Sequence, residues 1–415
     1  MIEQAITLVI FIACYALALS RRIKLAYISM GAAGLLILFG IVSPETAVLK
    51  SIKWDVMGIY WGFMMLSMVF IESRIPELLA RKMIKNLKKE RYIIVAICAL
   101  TALISAFMEN VGTVLIMAPI AIMVAKKLKS NLFYYLVAIA LSANVVTTVT
   151  MVADPPSLIL ASVTGMHFLD FYWFQGRIGL GIITLAGVFT ALVTLLFLFR
   201  KMKKRVKIPE RRIKVNYIPL LIFIGGIVAL AVGPYFGVNA GPIGLAVGIL
   251  SLLVAWKKMD KMLKDFDWNS FFFIMGIFIV ISSLEISGLL SMFVGMIGGL
   301  GISNAAIMLA IIIWISVAAS SFIDNVPYTV LMIPVCTQLA GMMGVSPFPF
   351  LFGMLVGTAI GGNISPIGST TAVFATGMLE KKGYKIKLKE YLKISVPFSI
   401  LSVLVCHILI QLIWL

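Results

Sequence analysis

Charge is what this chain lacks. Only 13% of its 415 residues are Asp, Glu, Lys or Arg, against 61% hydrophobic, and acids are the scarcer sign, 17 against 35 bases. A soluble chain of this length would expose far more charge, so the composition excludes a soluble globular protein and points to an integral membrane protein. Histidine is nearly missing: His167 and His407 are the only two, and neither belongs to an HExxH or comparable motif. The four cysteines, Cys14, Cys98, Cys336 and Cys406, are scattered through apolar runs with no pair at metal-ligand spacing, which assigns them to core packing. With no nucleotide-binding loop and no Ser/His, paired-Asp or metal constellation, an enzyme is not expected, and no cofactor beyond a coupling ion. The formal charge of +18 sits in short basic blocks between apolar runs and does not alternate with aromatics, so these blocks read as cytoplasmic membrane flanks, not a nucleic-acid surface.

What is present is one membrane motif, twice. Ser105–Ile120 reads SAFMENVGTVLIMAPI and Ser320–Val335 reads SSFIDNVPYTVLMIPV, an offset of 320 − 105 = 215. At that offset Glu109 faces Asp324, and the register continues without a gap into 141–161 (LSANVVTTVTMVADPPSLILA) over 356–376 (VGTAIGGNISPIGSTTAVFAT). Gly, Pro, Asn, Thr and an acid in mid-membrane sequence mark where helices break, and paired breaks in two halves point to a transporter's substrate site.

Apolar runs near 2–20, 26–44, 54–72, 174–200, 216–234, 240–256, 268–287 and 394–414 are each long enough to span a bilayer. Basic clusters at 21–24, 74–91, 126–129, 200–214, 257–264 and 381–393 belong on the cytoplasmic side by the positive-inside rule. Segment 74–91 is basic, whereas its counterpart 289–306 carries no charge, so the halves have opposite orientations and form an inverted repeat. Segment 92–126 has both ends basic and cannot be a single span. It reads as a re-entrant hairpin with its tip near Glu109–Gly112; its twin, 305–342, has its tip near Asp324–Tyr328. The segments 131–165 and 347–379 are too long for straight spans and read as broken helices, interrupted at Thr147–Pro156 and Gly361–Thr371, which membrane depth tolerates only around a cavity or inside protein.

The expected fold is therefore an all-α integral membrane protein of the inverted-repeat secondary-transporter class, with about ten spans, two re-entrant hairpins and two broken helices. Residues 1–200 form the first repeat, 201–215 a basic cytoplasmic linker, and 216–415 the second repeat. Both termini lie outside, in what is expected to be a prokaryotic inner membrane, with membrane lipid and a small solute or ion as partners. Segment 73–90 reads as an amphipathic helix on the inner membrane surface. The aromatic cluster Phe168, Phe171, Tyr172, Trp173 and Phe174 reads as an outer interfacial belt.

Candidate site residues follow from these breaks. Asn110 and Asn325 offer two donors and an acceptor each to an ion or polar substrate, or else cap the return helices. Glu109 and Asp324 lie deep in apolar sequence, where a carboxylate is costly unless paired, protonated or bound to a cation; the competing reading is that they bond free backbone N–H groups at the tips. In the first break, Asn144, Thr147, Thr148 and Thr150 precede Asp154-Pro155-Pro156, where two prolines stop the helix. Asp154 binds a cation, carries a proton or caps the half-helix beyond. The second break offers Asn363, Ser365 and Thr370 among glycines, with Ser369 where the first has Asp154, so the halves are chemically unequal. A sodium ion would be sought near Asn110, Asp154 and Asn325.

These motifs, MENVGTVLIMAP, SSFIDNVPYTVLMIP, ADPPSLIL and GGNISPIGSTT, resemble those of the ion transporter superfamily: arsenite permeases, D-type sodium/proton antiporters, the P-protein family, and citrate and divalent-anion symporters. The resemblance covers nearly the whole chain. It implies an elevator-like mechanism and a homodimer, and it matches Asn110, Thr113, Asn325 and Thr329 to the hairpin Asn/Thr positions and Asp154, Asn363 and Ser365 to the broken-helix positions. The Ser-Asn-Thr tips of the divalent-anion branch are absent; the acidic tips lean toward the arsenite, P-protein and antiporter branches. The sequence-based expectation is a proton- or sodium-coupled permease of arsenite type, with a sodium/proton antiporter and a sodium-coupled citrate or dicarboxylate symporter as alternatives.

Overall fold

The computed structural model describes residues 2–20, 23–85, 87–205, 213–298 and 304–415. Residues 206–212 of the expected linker lie outside these. The first repeat consists of α1 (Ile2–Ser20), α2 (Leu25–Leu38), α3 (Trp54–Glu72), α4 (Ile75–Ile84), α5 (Glu90–Ser105), α6 (Asn110–Leu128), α7 (Leu132–Asn144), α8 (Pro155–Thr164) and α9 (Leu180–Leu198). The second adds α10 (Ile218–Val232), α11 (Ala240–Val254), α12 (Met259–Asp265), α13 (Trp268–Ile286), α14 (Leu289–Gly298), α15 (Ala305–Ser320), α16 (Asn325–Met342), α17 (Phe348–Gly361), α18 (Thr370–Glu380) and α19 (Leu388–Trp414). The repeat offset survives in the elements: α15 sits over α5 at both ends, 305 − 90 = 215 and 320 − 105 = 215.

Each hairpin is a helix pair joined by four residues, 106–109 between α5 and α6 and 321–324 between α15 and α16, with α5 packed on α6. The turns thus come slightly earlier than the expected tips, because Glu109 and Asp324 already serve as N-caps of the return helices. The broken helices open at 145–154 and 362–369. At the first, Pro155 and Pro156 occupy the opening turn of α8, where a missing N–H costs nothing.

The two repeats interlock. Helix α3 packs against α11, and its repeat equivalent α13 packs against α2, so each pair takes one helix from each half. Glycine makes this possible: a Cβ on Gly58 would lie 2.7 Å from Gly241 O, and one on Gly276 would lie 2.6 Å from Ser29 C. Small residues of this kind let membrane helices approach backbone to backbone.

Some expectations shift. Among the described residues six helices are long and apolar enough to cross a membrane alone: α3, α6, α9, α10 with its 3-10 extension to Phe236, α13 and α19. Helices α1, α2, α7, α8, α15 and α17 are shorter apolar helices, and of these α7, α8 and α17 are half-length pieces of the broken spans. The 26–44 run ends at Leu38, and the chain then turns through Pro44–Thr46 and a π-turn at Ala47–Ser51. Helix α19 begins at Leu388, inside a basic segment, because Tyr391 and Ile394 are buried while Lys389 and Glu390 face outward. The aromatic cluster is not all interfacial: Phe168 and Phe171 are buried in a 3-10 turn packed on α9 and α10, while Trp173 is exposed on a small hairpin, Trp173–Phe174 paired with Arg177–Ile178. The amphipathic segment forms α4, with Glu77 bridged to Arg74 (2.9 Å) and Arg81 (3.0 Å). All four cysteines are buried and unpaired with one another.

Candidate functional site: a carboxylate-lined cavity between two hairpin turns

The two turns are built alike. Ser105 Oγ donates to Asn110 Oδ1 at 2.6 Å, and Ser320 Oγ donates to Asn325 Oδ1 at 2.6 Å. Each break is tied to its own turn: Thr150 Oγ1 donates to Ala106 O, and Ser365 Oγ donates to Ser321 O. The breaks also hold each other, through Asn144 Nδ2 to Ala359 O (2.8 Å) and Asn363 Nδ2 to Leu141 O (3.1 Å). Each break thus anchors an amide of the other to a carbonyl near its own helix end, which fits the need to pair polar groups at membrane depth.

The acids at the tips have structural partners. Glu109 accepts from Val111 N (2.8 Å) and Gly112 N, and Asp324 accepts from Val326 N (3.0 Å). Asn110 and Asn325 are therefore the first helical residues and not caps. Asp154 differs. It stands at the N-cap position of α8 with an extended backbone, yet its side chain accepts nothing from the first turn, whereas its counterpart Ser369 does cap, accepting from Ala372 N at 3.3 Å. A second inequality follows at the turns. Asn110 Nδ2 donates to Thr147 Oγ1 (3.3 Å), but the position equivalent to Thr147 is Gly362 (362 − 147 = 215), and Asn325 Nδ2 has no partner among the described residues.

Between the turns lies a cavity of about 710 Å³. Of the thirteen candidates named from the sequence, Glu109, Asn110, Asn144, Asp154, Asp324, Asn325 and Thr370 line it. The other six stand behind it. Thr113 bonds within its own helix, Thr147 supports Asn110, and Thr148 meets Thr184 at 2.7 Å. Ser365 is spent on Ser321 O and Asn363 on Leu141 O, while the Thr329 hydroxyl is buried without a partner. Asn110 and Asn325 are 4% and 7% exposed, so both side chains are buried in the cavity wall.

Sequence reasoning missed one wall. Asp265, Asp267, Asn269 and Ser270, from the end of α12 and the start of α13, also line the cavity. Asp267 caps α13, accepting from Ser270 N at 3.0 Å, and Asn269 Oδ1 accepts from Ala26 N at 3.1 Å. Two acids directly after the basic run 257–264 were the available signal, since a membrane flank needs no carboxylates there. Among the described residues the lining thus contains five carboxylates and no Lys, Arg or His. An adjoining cavity of about 480 Å³ shares Asn269, Asp324 and Thr370 and is also lined by Lys24. Among the described residues no group of three or more His, Cys, Asp or Glu is placed to hold a metal ion.

Replacing Glu109 by Ala tests the cap apart from the cavity. Losing a helix cap costs about 0.5–2 kcal/mol, so Glu109→Ala should lower the melting temperature of purified protein, while Glu109→Gln, which keeps an acceptor oxygen, should recover most of the loss.

The profile of the citrate transporter family CitMHS matches residues 15–357. The chain belongs to the CitMHS family. It is similar to an uncharacterized transporter of Mycobacterium tuberculosis, 27% identical over 403 residues that cover 93% of each chain. It is also similar to the P protein of Mus musculus, 23% identical over 474 residues, covering 92% of this chain and 57% of that one. Among solved structures, the Alcanivorax borkumensis YdaH transporter superposes with a TM-score of 0.59 at 11% identity, covering 91% of this chain and 87% of that one, a likeness of fold. By its family and its relatives the chain is a secondary transporter and not an enzyme.

Proposed function

We propose that this CitMHS-family chain couples a proton or sodium gradient to movement of a small oxygen-rich solute, with the hairpins and broken helices carrying the cavity in an elevator-like motion. The supporting observation is Asp154: a carboxyl group at a helix break, lining the cavity, with no capping duty. An intramembrane carboxylate of that kind is suited to take up and release a cation or proton. The favoured cargo is a neutral hydroxylated solute of the arsenous acid type, exported from the cell. Amide and hydroxyl groups at Asn110, Asn144, Asn325 and Thr370 can hydrogen-bond such a molecule, and a wall of carboxylates does not repel it.

Two other readings each have an observation behind them. The family description names citrate, which favours a citrate or dicarboxylate symporter; a free polycarboxylate would meet five carboxylates and no base in the cavity, and would need bound cations to offset them. The same carboxylates favour a sodium/proton antiporter. Basic loops are placed in the cytoplasm, which makes the Asp265 side of the cavity the inner mouth, and the working unit is taken as a homodimer.

Protein in liposomes enclosing a pH dye separates the three. Sodium gradients are imposed alone, then with arsenite, then with citrate. A proton response that requires arsenite is the expected result. A response to sodium alone would replace this reading with the antiporter, and a response only to citrate would replace it with the symporter.

A further inference from the structure

The inner cavity has a repeat equivalent on the opposite face, and its charge is reversed. A second cavity of about 490 Å³ is lined by Lys50, Ser51, Lys53, Ser282, Thr337 and Gln338, with Glu285 also in its wall. Four of its positions map onto the inner cavity at the repeat offset: 265 − 50, 282 − 67, 286 − 71 and 330 − 115 all equal 215, pairing Lys50 with Asp265, Ser282 with Ser67, Ile286 with Ile71 and Val330 with Leu115. The two spaces are thus the same vestibule built by opposite repeats. Only the inner one reaches Asn110 and Asn325; the outer one stops at Ser51 and Ser282, whose hydroxyls bond at 2.9 Å.

We infer that the outer vestibule, at Lys50 and Lys53, is an entry site for a small anion, carboxylate or oxyanion, while the inner vestibule gathers cations. The sidedness rests on the orientation proposed above; the charge reversal does not. Two lysines against the single acid Glu285 leave the outer space with a positive excess, and the inner space has Asp265 where the outer has Lys50. An excess of one charge sign in a cleft with low-dielectric walls raises the local concentration of the opposite ion. Lysines on an outer loop also run against the general placement of basic residues inside, so membrane insertion does not account for them. An exchanger that returns an anion inward as the neutral solute leaves would use such a mouth.

The test needs no knowledge of the substrate. Thr337 is exposed in the outer vestibule and the native cysteines are buried, so Thr337→Cys supplies a single reactive thiol. Its modification rates by an anionic and a cationic methanethiosulfonate of equal size are compared in right-side-out vesicles, and those of Asn269→Cys in inside-out vesicles. At Thr337→Cys the anionic reagent should be favoured about tenfold over a free thiol, the low end of such focusing. High salt should erase the preference, as should Lys50→Gln with Lys53→Gln. At Asn269→Cys the preference should invert. Equal preference at both positions, or a preference at Thr337→Cys that survives the Gln substitutions, would overturn the inference. Reaction of Thr337→Cys from the cytoplasmic face alone would overturn its outer placement. If the double Gln variant fails to fold, the salt dependence in the lysine-bearing protein decides the same point.

Discussion

Asp154→Asn should abolish ion-coupled transport and leave the fold intact. The substitution is nearly isosteric, and Asn is as good an N-cap as Asp, so the start of α8 at Pro155 loses nothing. What goes is one negative charge in the cavity. Replacing a charged hydrogen-bonding partner by a neutral one costs about 1.5–3 kcal/mol, or roughly 10- to 150-fold in affinity for the coupling ion. An amide also cannot carry a proton, so a proton-coupled cycle would stop outright. The measurement is solute-driven proton or sodium flux in liposomes, with the melting temperature and elution profile of the variant beside it. Normal flux from a normally folded variant would remove Asp154 from the coupling step and leave Glu109, Asp265, Asp267 and Asp324 as the cavity carboxylates to examine.

How much of this was legible in the sequence depends on the range of the interaction. The hairpins and breaks were readable because local composition writes them: Pro155-Pro156 stops a helix, Gly361-Gly362 loosens one, and the 215-residue offset repeats both patterns. The contrast between the basic segment 74–91 and its uncharged counterpart is local composition of the same kind, and the proposed opposite orientation of the halves rests on it. Which of two adjacent residues caps a return helix was not readable. Glu109-Asn110 and Asp324-Asn325 each offer two good caps, and the choice turns on where the four-residue turn lets the helix start. The wall of Asp265 and Asp267 was hidden for a different reason. It comes from the α12–α13 junction, more than 100 residues from the first hairpin (265 − 109 = 156), and only tertiary packing places it opposite Glu109 and Asp154. Phe168 and Phe171 misled for the same reason, since aromatic composition resembles an interface whether or not α9 and α10 cover it.

The scaffold makes the other large prediction. Gly62→Leu should prevent recovery of folded protein. At Gly62 the backbone of α3 meets the backbone of α11, and even a Cβ there would run into the Gly244 carbonyl. From the other side, a Cβ on Gly248 would lie 2.8 Å from Gly62 Cα, so neither helix can yield without opening the seam. Overpacking a tight core costs about 1–3 kcal/mol and occasionally more; here the obstacle is backbone and not a flexible side chain, which puts the cost at the upper end or beyond. The damage should not stay local. Because α3–α11 and α2–α13 each join one helix from each repeat, forcing one seam apart strains the equivalent seam at Gly276 and Ser29. Detergent-extracted Gly62→Leu should run as aggregate on size exclusion and show no cooperative melt. Gly34→Ala is the control: nothing lies within 4 Å of a Cβ there, and alanine in a helix is favoured over glycine by about 0.5–1 kcal/mol. A well-behaved Gly62→Leu would mean that the α3–α11 seam can open without loss of the fold, and a carrier whose hairpins move against a fixed frame could not be built on it.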